Sequence, residues 1–201
     1  MTTYKDDDSF FNCIVIPVNR GYSTINHWFY NHDARYRYIN DVEANQDFLT
    51  LKDRDELYPN IRSIAVVMNP WARVLYAYKA NVLKSKNGIV TPLSLLLDLT
   101  SFESFVYSIT KVDLRSISPS WFTIDTPQMR WIEYDDRRAD YILKFENLEE
   151  DFQPIRDYFC TDTPLYCQDP PIDYRESYND TTKNIVYDMF HEDAERLNYE
   201  F

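Results

Sequence analysis

Two stretches of this sequence place chemistry-bearing residues where an anion could be held. The first is NCIVIPVNRGYST, from Asn12 to Thr24: an apolar run, a proline stop at Pro17, a turn, and a helix opening at Ser23 or Thr24. The chain has only 2 glycines, and Gly21 is in this turn. A glycine there lets backbone N–H groups converge, and a helix N-terminus adds partial positive charge. That combination binds phosphate or sulfate, with Asn19, Gly21, Tyr22, Ser23 and Thr24 as the cradle. The same turn is also what any α/β fold needs to pass from strand to helix. The second stretch is SIAVVMNPWARV, where Asn69 and Pro70 are favoured helix-start residues and Arg73 follows within the first turn. His27 and His32, backed by Asp33 and Glu43, are the available bases. The two imidazoles do not fall on one helical face, so a metal site is not expected. No G-x-x-x-x-G-K-[ST] motif is present, which argues against a nucleoside triphosphatase.

The elements that must position these residues follow from periodicity. Cys13 to Ile16 and the β-branched run Ser63 to Met68 read as buried strands, with Tyr141 to Phe145 as a third and Tyr36 to Asn40 as another. Ile25, Trp28 and Phe29 form a helical stripe after the first turn. Trp71, Val74, Leu75, Tyr78 and Val82 form another after the second. Further helices are expected at Lys52 to Tyr58, Pro92 to Leu99, Phe102 to Ile109, Thr126 to Trp131, Leu148 to Phe159, Thr181 to Phe190 and Glu192 to Leu197. Strands alternating with helices predict a parallel sheet, whose ligand edge lies at the strand C-termini.

Composition bounds the function. Of 201 residues, 33 are acidic and 21 basic, giving a net charge of −12, which argues against a broad nucleic-acid or anionic-membrane footprint. An anionic ligand would be captured by local dipoles and a few arginines. The 3 cysteines do not make a disulfide framework and suit a reducing compartment; Cys13 lies inside an apolar strand, and Cys160 and Cys167 could pair across a proline-containing loop. The start, MTTYKDDDSFF, lacks the character of a secretory signal, and no apolar run nears the ~20 residues of a membrane span. The reading is a soluble cytoplasmic chain, with residues 1–9 an acidic lead-in and 10–201 one domain.

In order, four segments resemble the sulfotransferase superfamily, in its compact carbohydrate-sulfotransferase-like branch. IPVNRGYST is similar to the 5′-phosphosulfate loop, usually Ile-Pro-Lys-x-x-Gly-Thr-Ser/Thr. VVMNPWARVLYAY is similar to the 3′-phosphate element, usually Arg-x-Pro-x-x-Arg-x-x-Ser-x-Tyr. TPQMRWI and DYILKFENLEEDF resemble the family's Gln-x-x-Trp and its strand, Glu-Asn-Leu and helix. DYRESYNDTTKNIVYDMFHEDAERLNYEF resembles its Tyr-Arg-Glu-x-Tyr segment and closing helix. The resemblance implies a three-layer α/β fold with a central, P-loop-like parallel sheet flanked by helices. It implies 3′-phosphoadenosine 5′-phosphosulfate as donor, and metal-free transfer to a hydroxyl or amine, carbohydrate acceptors included. Arg20 and His27 would then be the catalytic candidates. Asn19, Gly21, Tyr22, Ser23, Thr24, Asn69, Arg73 and Arg175 would bind the donor.

Three departures cut against activity. Sulfuryl transfer needs charge neutralisation on the leaving phosphate and a base for the acceptor's proton. The family's loop lysine is Val18 here, its 3′-phosphate arginine is Met68, and its serine is Tyr76. Each lost charge-assisted contact costs about 1.5–3 kcal/mol. The alternative is therefore a degenerate sulfotransferase-type scaffold working as a structural or binding subunit with protein partners. Stem-less members of this family occur in bacteria and tailed viruses, which brings a virus particle within that alternative.

Overall fold

Three parallel strands carry the α/β character that alternating strands and helices predict. In the computed structural model, which describes residues 14–16, 24, 25, 27–29, 50–57, 62–113, 122–165 and 172–201, β1 (Ile14–Ile16), β2 (Ser63–Val67) and β5 (Tyr141–Lys144) form a sheet in the order β1-β2-β5. Val15 pairs with Ile64, and Val66 with Leu143, in parallel register. Every residue of the central strand β2 is buried, as a strand covered on both faces requires. The strand expected at Tyr36 to Asn40 and the break at Ser116 to Ser120 lie outside the described residues.

The chain divides into two units, Met1–Val67 with Arg130–Pro170, and Met68–Met129 with Pro171–Phe201. In the first, the sheet is registered by a carboxylate. Asp140, just before β5, accepts from the Ser63 backbone N–H at 2.8 Å and from the Ser63 hydroxyl at 3.0 Å, at the first residue of β2. Arg137 clamps Asp140 at 2.9 Å and Asp55 at 3.1 Å. Arg137 sits there because a hairpin, absent from the periodicity reading, joins β3 (Glu133–Tyr134) to β4 (Arg137–Arg138). Its turn puts Asp135 at φ 47, a left-handed conformation that aspartate tolerates. The helix Leu51–Leu57 opens with a reciprocal cap. The Thr50 backbone donates to Asp53 at 2.9 Å, and the Asp53 backbone donates to the Thr50 hydroxyl at 3.2 Å.

Apolar contacts complete this unit. Trp28 meets Phe29, Phe152 and Phe159 edge-on at 5.3, 4.9 and 5.4 Å, and its indole N–H donates to the Thr163 carbonyl at 3.1 Å. The expected helix Leu148 to Phe159 is two, Leu148–Asp151 and Gln153–Tyr158. The reason is Pro154, which lacks an N–H and is favoured in a first turn instead.

The second unit is helical. Asn69 caps the helix Pro70–Lys86, its Oδ1 accepting from the Trp71 and Ala72 backbones at 3.0 and 3.3 Å. Pro92–Leu96 is shorter than expected, ending before Leu97 turns extended, while Phe102–Ile109 has the expected bounds. Helical turns at Phe122–Asp125 and Met129–Ile132 leave Thr126 to Gln128 outside either, against the expected helix through Thr126. The two C-terminal helices expected at Thr181 to Phe190 and Glu192 to Leu197 are found within Asp180–Arg196, divided at Phe190 by a kink where the backbone leaves the helical region (φ −129, ψ 25).

Candidate functional site

At the start of the Pro70–Lys86 helix, two of the sequence-derived site residues, Asn69 and Arg175, come into one neighbourhood. Asn69, besides capping, donates from Nδ2 to the Tyr174 hydroxyl and to the Glu200 carbonyl, both at 3.1 Å. The exposed Arg175 lies over the Tyr174 ring at 5.0 Å, so Tyr174 links it to Asn69. Phe201 packs edge-on against Trp71, Tyr174 and Tyr178 at 5.5 to 5.6 Å, and Lys183 Nζ sits 4.2 Å from its ring. The Tyr178 hydroxyl donates to the Trp71 carbonyl at 2.9 Å. Burial, with Tyr174 beside it, pushes the phenol far above its usual range, so it stays protonated. The helix entrance is thus occupied by the C-terminal segment of the same unit.

Arg73 points elsewhere. The residue is buried at 6% exposure, with one guanidinium nitrogen 3.3 Å from Asp193 and another donating to the Thr126 carbonyl at 2.7 Å. The ring of Phe190 lies 5.0 Å from the same guanidinium. Burial pulls its pKa below the arginine norm, opposed by Asp193 and Asp125. Asp193, fully buried, also accepts from the Gln128 and Met129 backbones at 2.7 and 2.9 Å. The Gln128 side chain then pairs with Met68 as a strand neighbour would, accepting from its N–H at 2.9 Å and donating to its carbonyl at 2.8 Å.

Met68 and Tyr76, the replacements for the family's arginine and serine, are both buried. Thr24 is buried and His27 exposed, both in the first unit; Asn19, Arg20, Gly21, Tyr22 and Ser23 lie outside the described residues. Among the described residues no group of three or more His, Cys, Asp or Glu could hold a metal ion, and no helix is long and apolar enough to cross a membrane. Cys160 is an exposed free thiol.

No family model, curated protein or solved structure matches this chain.

Asp193, the partner of Arg73, and Gln128, which bonds to Asp193, are polar residues the sequence did not single out for these roles. A signal existed for Asp193. It falls in register with Val186, Phe190 and Leu197 on the buried stripe of the last helix. A charge on a core stripe requires an internal counter-charge. What the described arrangement does chemically is tie the start of the Pro70–Lys86 helix to the C-terminal segment of its own unit. Its one exposed cation beside the helix start is Arg175.

Proposed function

We propose that this chain is a sulfotransferase-type protein, with that family's three-layer, P-loop-like architecture, that has kept the scaffold and lost the donor site. It works as a structural or binding subunit, with proteins as its partners. The observation that carries this reading is the commitment of Arg73. The arginine at the family's nucleotide-facing position is buried against Asp193, the Thr126 carbonyl and the Phe190 ring. Val18, Met68 and Tyr76 stand where the family places its lysine, arginine and serine. Losing several charge-assisted contacts at about 1.5–3 kcal/mol each weakens donor binding by orders of magnitude. A subunit of a tailed-virus particle fits this reading through the family's distribution.

One observation favours a second reading, an active sulfotransferase with an altered pocket. Arg175 is exposed and sits on Tyr174 beside the helix start, where a guanidinium could meet a phosphate. In that reading 3′-phosphoadenosine 5′-phosphosulfate is the donor, Arg20 and His27 the catalytic candidates, and a hydroxyl or amine, such as that of a carbohydrate, the acceptor. Calorimetric titration with 3′-phosphoadenosine 5′-phosphate separates the two. The scaffold reading expects no heat of binding at millimolar nucleotide. Micromolar affinity that Arg175→Ala abolishes would establish the second.

A further inference from the structure

Between Glu56 and Asp98 this acidic chain contains no acidic residue at all. Within that stretch lies a hairpin of helices, Pro70–Lys86 and Pro92–Leu96, closed by a Thr91 hydroxyl bond to Asn81 at 3.0 Å and an Ile89 backbone bond to the Lys84 carbonyl at 2.9 Å. The outside of the hairpin is apolar. Leu95 is 74% exposed, Val90 69%, Leu83 61% and Ile89 53%, whereas Leu93 and Leu97 turn inward. Three exposed lysines, Lys79, Lys84 and Lys86, belong to the same stretch. Scattered exposed aliphatic residues are ordinary, but a concentration of them in one short segment, rimmed by one sign of charge, marks an interaction surface.

We propose that this hairpin is the docking surface for a second copy of the chain, joined head to tail. The argument is charge complementarity. Outside the hairpin, the chain's own surface is acidic, and the same unit carries a matching patch on its last helix, Asp180–Arg196. There Tyr187 is exposed and donates to Glu195 at 2.9 Å, next to the exposed Asp188. Carboxylates around an aromatic ring suit lysines around aliphatic side chains. A two-fold pairing of hairpin on hairpin would set lysines against lysines; in the contact proposed each copy offers its hairpin to the last helix of the next, whereas a reciprocal two-fold version of it would stop at a dimer. The surface does not depend on whether the chain binds a nucleotide.

The test is analytical ultracentrifugation of the full chain from micromolar to millimolar concentration, with circular dichroism to check folding. The average mass is expected to rise beyond that of a dimer and to fall back as salt is added. Two variants at exposed positions separate the patches. K84Q/K86Q disables the hairpin and keeps the helix patch, while D188N/E195Q does the reverse. Each alone should be monomeric, and their mixture should form a one-to-one dimer and stop there. A wild-type monomer at millimolar concentration overturns the proposal. So does self-association that neither variant affects, or a mixture that stays monomeric. A monomer that binds anionic lipid vesicles through Leu95 and the lysines would assign the surface to a membrane instead.

Discussion

Arg73 and Asp193 form an ion pair at 3.3 Å in which neither side chain is more than 7% exposed. Removing one partner leaves the other charged and without compensation, which costs about 3–5 kcal/mol. Asp193→Ala also strands the Gln128 and Met129 backbone N–H groups. The melting temperature should fall by on the order of 10 °C in calorimetry. The apolar double variant R73M/D193L should cost less than Asp193→Ala, because it leaves no buried charge unpaired.

Asn69 joins the long helix to the C-terminal segment, so its loss should be felt in both places. Asn69→Ala is expected to destabilise the protein by about 1–2 kcal/mol, the usual cost of a lost N-cap. Hydrogen exchange should quicken at the Trp71 and Ala72 amides, which Asn69 accepts. Unchanged exchange at both amides would contradict the capping role.

The acid limb of stability should depend on Asp140. Partial burial works against its ionisation, but the hydrogen bonds from Arg137 and Ser63 outweigh it, and its pKa lies below the ordinary 3.8. A depressed carboxylate stabilises the fold above its unfolded pKa and stops doing so as pH falls through the folded value. Urea unfolding should therefore show stability declining from about pH 4 downward. Asp140→Asn should be less stable at neutral pH and flatter across that window.

Phe152 has no exposed surface and packs edge-on against Trp28 and Phe29 at 4.9 and 6.2 Å. Phe152→Ala should cost about 3–5 kcal/mol, read from the urea midpoint. Substitution at the exposed Tyr107 should stay within about 0.5 kcal/mol of wild type.

The sheet was legible because its signals are local. SIAVVM is β-branched and uninterrupted, and Asn69-Pro70 announces a helix by capping chemistry alone. Phe102–Ile109 was equally plain, opened by Ser101. The hairpin at Glu133–Arg138 was not legible. Its strands are two residues each, too short for any period to show, and its turn depends on one left-handed aspartate. The division of the last two helices was legible: it falls at Phe190, whose backbone leaves the helical region while its ring stays in the core. Arg73 was recognised as a residue of consequence from its place in the Asn-Pro-Trp-Ala-Arg run. Its direction was not, because that is set by Asp193, which lies far along the chain and meets it only in the fold. Proline at Pro154 could have divided Leu148 to Phe159 in advance, since a proline past the first turn breaks a helix.

The most direct measurement for the account as a whole is thermal unfolding with and without millimolar 3′-phosphoadenosine 5′-phosphate. A donor site of micromolar affinity would add about 4 kcal/mol at that concentration, a shift on the order of 10 °C. The scaffold reading predicts a melting temperature unchanged by the nucleotide. A rise of several degrees, lost in Arg175→Ala, would contradict it and establish a working donor pocket.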